Sequence, residues 1–174
     1  AKRSGKTVNF GCVYELCFVK HSELPQMFHV YKGRVVSHGN QVKDQHGFSA
    51  IYGDQGTSAT HLSAAKFLDA MARLPGCDGA DSDAVGAYTQ AFHQGDLTYV
   101  SIPKGRRPKS WKRFRNPVCK LIRNLYGHPQ AGLYWEKHCK QALLRCGFEA
   151  VKDWECLYMH RAKPVSYTHL TLPT

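Results

Sequence analysis

Asp83-Ala84-Val85-Gly86-Ala87-Tyr88 is the stretch from which the fold of this chain is read. Residues 80–85 read as a short strand and residues 87–92 as the start of a helix, so a carboxylate ends a strand and a ring follows just past a glycine turn. A nucleotidyl-transfer site needs that pair: an oxygen ligand for a divalent cation and a flat wall beneath a sugar. A surface aspartate and a core tyrosine at this spacing also occur in unrelated domains, so the flanking stretches have to decide.

Upstream, residues 60–74 place Ala64, Phe67, Leu68, Met71 and Leu74 at helical spacing. Ser58 or Thr60 can cap this helix, Pro75-Gly76 stops it, and its stripe reads as core packing. Asp81 falls on the same strand face as Asp83 and could also be near a metal, but turn chemistry for Asp78-Gly79 and capping for Asp81 is the preferred reading. Residues 8–19 are rich in β-branched and aromatic side chains and read as one strand or two short ones. After the turn at Leu24-Pro25, residues 28–37 read as a strand with Lys32 and Arg34 on one face. Cations so placed can grip phosphate oxygens, or be solvent-exposed charge on an edge strand. Residues 40–57 are polar and glycine-rich, hence loop.

Downstream, residues 97–102 alternate as a strand does. Lys104, Arg106, Arg107, Lys109, Lys112, Arg113 and Arg115 then form a charge run interleaved with Trp111 and Phe114. Basic side chains mixed with aromatics suit a nucleic-acid backbone and exposed bases; a mobile basic loop is the alternative. Residues 133–146 read as a second long helix, with Trp135, Cys139, Ala142, Leu143 and Cys146 on one face and Gly147 at its end. Residues 148–151 and 156–160 read as strands. Mixed helices and strands give an α/β (α+β) class, and no internal repeat is present.

The chain has 174 residues, 43% hydrophobic and 21% charged, enough for one cored domain or one with a subdomain. Lys and Arg number 24 against 13 Asp and Glu, a formal charge of +11. That favours a polyanionic partner, nucleic acid before a membrane surface. No apolar run approaches the ~20 residues of a membrane span, so no membrane partner is expected. The seven cysteines are odd in number and form no CxxC, which predicts reduced thiols in an intracellular setting and no zinc site.

The order of these pieces resembles the reverse transcriptase of Copia-type LTR retrotransposons. Tyr31-Lys32-Gly33-Arg34-Val35-Val36 with Gly39 resembles that family's fingers motif, and residues 58–74 its next helix. Asp83 to Tyr88 resembles its first catalytic motif, and Gly95-Asp96-Leu97 the turn after it. Val118-Cys119-Lys120-Leu121, Leu125-Tyr126-Gly127 and Gln130-Ala131 with Trp135 resemble its most recognisable block. Gly147-Phe148 and Cys156-Leu157-Tyr158 resemble the approach to its second catalytic motif.

The resemblance implies fingers built from residues 1–58 and 92–130, and an antiparallel palm sheet backed by helices from residues 59–91 and 131–164. It implies RNA-directed DNA polymerisation by two Mg²⁺ ions, with an RNA template, a DNA primer and a deoxynucleotide as partners. Asp83 would be catalytic and a metal ligand, with the Ala84 carbonyl beside it. Tyr88 would crowd a ribose 2′-OH, Lys32 and Arg34 would clasp the triphosphate, and Tyr126 and Gly127 would line the nucleotide pocket. Integrase and RNase H regions would belong to the same polyprotein, in a cytoplasmic particle or the nucleus of a host cell.

The pattern departs from the family at several positions. His38 stands where a basic residue usually precedes Gly39, His128 and Pro129 replace leucine and lysine, and Gly132 replaces proline. The aromatic-x-Asp-Asp hairpin is missing, so this piece is expected to be inactive by itself. Residues 165–174, Val165-Ser166-Tyr167-Thr168-His169-Leu170-Thr171-Leu172-Pro173-Thr174, look like a translated sequencing-library adapter and are set apart from the fold. A genuine threonine-rich tail is the alternative.

Overall fold

The computed structural model describes residues 7–53, 62–163 and 165–168. The chain divides into two compact units that exchange along the sequence, one from Ala1–Gly53 and Tyr88–Ala131, the other from Asp54–Ala87 and Gly132–Thr174. Both helices and strands are present, including a four-stranded mixed sheet, so the α/β class stands.

In the first unit, β1 (Val8–Lys20), β2 (Val30–Ser37), β3 (Leu97–Ser101) and β4 (Cys119–Lys120) form one sheet in the order β2-β1-β3-β4. β1 changes partner part-way along. Its residues 8–12 run parallel to β3, from Val8 opposite Leu97 to Cys12 opposite Ser101. Its residues 13–20 run antiparallel to β2, from Val13 opposite Ser37 to Lys20 opposite Val30. The far end is thus a two-stranded ribbon, and Leu16, Phe18, Val19, Val30 and Tyr31 on it are exposed. The core lies toward the end where β1 meets β3, where Val8, Val13, Val36, Val42, Val100 and Leu121 are buried. Val42 is brought there by residue 43, whose backbone exchanges two hydrogen bonds with Phe10 at 2.7 and 2.8 Å. The expected loop after β2 therefore holds as far as residue 53; residues 54–57 lie outside the described residues.

In the second unit, α1 (Leu62–Ala72) occupies the expected helix, while the proposed caps Ser58 and Thr60 lie outside the described residues. Its stripe is less covered than core packing predicts. Ala64 is buried, but Phe67, Met71 and Leu74 are exposed, and the Phe67 ring reaches Trp154 at 6.4 Å. α3 (Ala131–Arg145) starts two residues earlier than expected and buries Leu133, Tyr134 and Trp135. Gly147, at φ +87°, ends it in the left-handed conformation, and a Cβ there would stand 2.8 Å from His160 Nε2.

β5 (Phe148–Ala150), β6 (Leu157–His160) and β7 (Val165–Thr168) form an antiparallel sheet in that order, and α1 lies against β7. β7 is the start of the tail that was set apart from the fold. The edge of β6 presents unpaired amides and carbonyls, and Val-Ser-Tyr-Thr has the composition to pair with them. Residues 169–174 lie outside the described residues.

One expected element does not form. Residues 80–85 are not a strand; the backbone is irregular from residue 77 to residue 84 and then turns. Asp78, Gly79, Asp81, Ser82 and Asp83 are poor strand formers, and Asp78 Oδ1 accepts the Gly79 amide at 2.8 Å, a local bond that competes with a ladder. The turn is closed by Ala87 N donating to Ala84 O at 3.2 Å, with Gly86 at φ +63°. The expected helix after it shrinks to one turn, α2 (Ala87–Gln90).

Candidate nucleotide and nucleic-acid site

Arg34 lies opposite Leu16, and Lys32 opposite Phe18, on one face of the β1–β2 ribbon. The Arg34 guanidinium reaches diagonally over the Phe18 ring, 5.8 Å from its centre, and over the Tyr126 ring at 5.1 Å. Tyr126 is fixed by its backbone. It bridges Val36 in parallel, and its carbonyl accepts the Ser37 amide at 2.7 Å. Gly127 makes this approach possible. It sits at φ +80°, and a Cβ on it would collide with the Ser37 carbonyl. Gly39 is bound by the same constraint, because a Cβ there would collide with the Gly127 carbonyl.

Tyr88, half-buried on α2, lies with its ring 4.8 Å from the Tyr126 ring. Burial first, and Tyr126 second, push the Tyr88 hydroxyl above its ordinary pKa, so it stays a neutral donor. Arg34, Tyr126 and Tyr88 therefore form a continuous run of side chains in the first unit, with Gly127 at its base and Lys32 two residues from Arg34. The run offers a cation and two aromatic rings, the groups that take a phosphate and a sugar-base moiety.

Asp83 and Ala84 belong to the second unit, and both are exposed. Toward Mg²⁺ they present one carboxylate and one carbonyl, the latter already accepting from Ala87 N. An octahedral ion needs more, and among the described residues no three His, Cys, Asp or Glu side chains gather. These residues do not by themselves build a magnesium site. The seven cysteines are free thiols.

The charge run is more ordered than a mobile loop. Two 3₁₀ turns, Lys104–Arg106 and Lys109–Arg113, each follow a proline. Arg106 N donates to Pro103 O and Trp111 N to Pro108 O, both at 2.9 Å. Arg106 pairs with Glu15 at 2.8 Å, Arg107 Nε donates to Ile102 O at 2.8 Å, and the Arg113 guanidinium covers the Phe114 ring at 4.9 Å. Arg115 is exposed.

A polar network escaped the sequence reading. Asn124 is 0% exposed, and its side-chain amide donates to Ala91 O and Phe92 O. Its Oδ1 therefore takes a hydrogen bond from His93 Nδ1 at 3.2 Å, and His93 Nε2 lies 3.1 Å from Thr98 Oγ1. Arg123 donates to Gln90 O and covers the Phe92 ring at 3.7 Å. These bonds staple the segment after Tyr88 to the one before Tyr126. The available signal was Asn124, a polar residue between the apolar pairs Leu121-Ile122 and Leu125-Tyr126.

Comparison with known protein families, with curated proteins and with solved structures finds no match to this chain. Among the described residues no helix is long and apolar enough to cross a membrane.

Proposed function

We propose that this chain is part of the RNA-directed DNA polymerase of a Copia-type LTR retrotransposon, carrying the fingers and the first portion of the palm. The single observation that carries the reading is Tyr126, flanked by the Arg34 guanidinium at 5.1 Å and the Tyr88 ring at 4.8 Å. Three residues assigned to the nucleotide pocket from separate motifs converge within one compact unit. The division into two units that exchange along the sequence also fits an interleaved fingers and palm.

In this reading Arg34 and Lys32 hold the triphosphate of an incoming deoxynucleotide, Arg34 in bidentate fashion. Tyr88 walls the sugar and disfavours a 2′-OH, while Tyr126 and Gly127 form the floor. The segment 104–115 meets the nucleic acid. Asp83 is one carboxylate of the parent's Mg²⁺ site, which needs others that the described residues do not gather. The purified chain accordingly extends no primer on an RNA template above an Asp83→Ala control.

The deciding experiment is to read the parent gene past the codon for Pro164. A continuation into a strand-turn-strand bearing aromatic-x-Asp-Asp supports the polymerase; any other continuation overturns it. The second reading is a non-catalytic nucleic-acid-binding module, favoured by the ordered 104–115 segment. Salt-dependent nucleic-acid binding in a parent without that hairpin would establish it.

A further inference from the structure

We propose that the hollow formed by Lys104, Arg107, Lys109, Trp111, Lys112 and Phe114 is a subsite for one nucleotide of a single-stranded nucleic acid. The base stacks on Trp111 and the lysines hold the adjoining phosphate. This deepens the nucleic-acid contact proposed above for residues 104–115 and does not need the polymerase assignment.

Charge singles out the ligand class. Residues 97–135 contain no Asp or Glu, so nothing along this stretch neutralises its cations. Three of the four arginines are committed: Arg106 to Glu15, Arg107 to the Ile102 carbonyl, Arg113 to the Phe114 ring. Lys104, Lys109 and Lys112 have no acidic partner among the described residues, and all three line one cavity. Three ammonium groups around one hollow repel each other unless an anion enters.

Size and shape narrow the ligand further. The cavity holds about 250 Å³. That is below the ~300–1,000 Å³ of pockets that engulf a drug-sized ligand, and suits one base with its phosphate rather than a longer segment. An indole on its wall supplies a face on which any base stacks. In a duplex that face is already covered by neighbouring pairs, so the hollow selects unpaired strand. The two proline-led turns and the Arg106–Glu15 and Arg107–Ile102 ties fix the wall before the strand arrives, which lowers the ordering cost of binding.

The test measures binding of short labelled oligo(dT) and oligo(rU) to the whole 174-residue chain by fluorescence anisotropy. Trp111→Leu weakens binding roughly five- to hundredfold, whereas Trp111→Phe, which keeps a ring, stays within about threefold. The triple change Lys104→Ala, Lys109→Ala, Lys112→Ala lowers the slope of log affinity against log salt by about 2. Preference for oligo(rU) or for oligo(dT) supports the subsite and names its source strand. Wild-type affinity in Trp111→Leu, an unchanged slope in the lysine variant, or duplex binding as tight as single-strand binding each overturns it. Circular dichroism confirms that each variant is folded. Triphosphate binding, measured separately, reports on the Arg34 pocket, so failure there is distinguishable from failure here.

Discussion

The Arg34 guanidinium carbon stands 5.1 Å from the centre of the Tyr126 ring, although the two residues are far apart in sequence. Arg34 is exposed, so this cation–π contact contributes no more than about 1 kcal/mol to stability. In the proposed nucleotide site its larger effect is to orient the planar fork toward the triphosphate. Arg34→Ala is expected to weaken deoxynucleoside triphosphate binding by roughly ten- to a hundredfold, the loss of one or two charge-assisted hydrogen bonds. Arg34→Lys restores the charge but not the fork, and recovers only part of the affinity. Titration calorimetry checks both, and denaturant melts confirm that neither variant is unfolded.

Tyr88 gives a separable outcome. Its ring stacks at a tilt against Tyr126 and is half-buried, so its place is set by packing as well as by α2. Tyr88→Ala is expected to narrow the preference for deoxy- over ribonucleotides, by on the order of tenfold. Tyr88→Phe, which keeps the ring, leaves the preference in place. Competition between dATP and ATP for one labelled triphosphate measures the ratio. A preference unchanged in Tyr88→Ala removes this residue from the sugar site.

Much of the fold was legible because its signals are local. The β-branched and aromatic composition of β1, the period-two face of β2, the helical stripes of α1 and α3 and the glycine after α3 are each signals of a single element. The change of partner along β1 was not legible, because residues 8–12 pair with a strand that begins at Leu97, and no local pattern encodes that distance. The failed strand at 80–85 shows the reverse error: the short apolar pair Ala84-Val85 before a glycine turn suggests a strand, but Asp78, Gly79, Asp81, Ser82 and Asp83 have weak strand propensity and no partner strand overrides it. In the site, Lys32 and Arg34 declared their shared face by spacing. The Asn124–His93 network did not, since each bond in it spans many residues.

Gly127 is where the close approach of the Tyr126 segment to Ser37 depends on the absence of a side chain. Gly127→Ala places a Cβ against the Ser37 carbonyl at φ +80°, so it combines a clash with a conformation that alanine disfavours. A loss of about 2 kcal/mol or more is expected, read as a lower urea midpoint. Gly33 on β2 is the internal control. A Cβ there meets nothing within 4 Å, so Gly33→Ala is near neutral.

His128 makes the first unit sensitive to acid. It is 4% exposed, its Nδ1 accepts the Gln130 amide at 3.2 Å, and its Nε2 is buried with no hydrogen-bond partner among the described residues. Burial, and then the His93 imidazole with its ring 5.0 Å away, push its pKa down to about 4. The unfolded chain protonates His128 near pH 6.5, while the folded chain keeps it neutral until about pH 4. Between those values the unfolded state binds more protons, so stability falls as pH drops, by up to ~3 kcal/mol in all. Above pH 6.5 this residue adds no pH dependence. His128→Leu, which fills the site without a titrating group, is expected to flatten the slope of melting temperature between pH 6.5 and 4. A slope equal to wild type would assign the acid sensitivity elsewhere.

β7 tests what the tail does to the second unit. Val165–Thr168 pairs along the whole of β6, opposite residues 157–160, and α1 lies against it. Leu157 and Tyr158 on β6 are buried, and β5 covers only one side of that strand. Ending the chain at Lys163 would leave the other side of β6 with open amides and carbonyls, a template for pairing between molecules. The shortened chain is expected to lose amide-exchange protection at residues 157–160 and to self-associate with rising concentration, while the first unit keeps its protection. If residues 165–174 are adapter-derived, β7 occupies an edge that a strand of the parent protein fills. A synthetic peptide of alternating Val and Thr, equally β-prone but unrelated to the tail, should then restore protection when added in excess. Protection that stays at the full-length level after truncation would show that β6 is stable without a partner on that side, and would remove β7 from the fold.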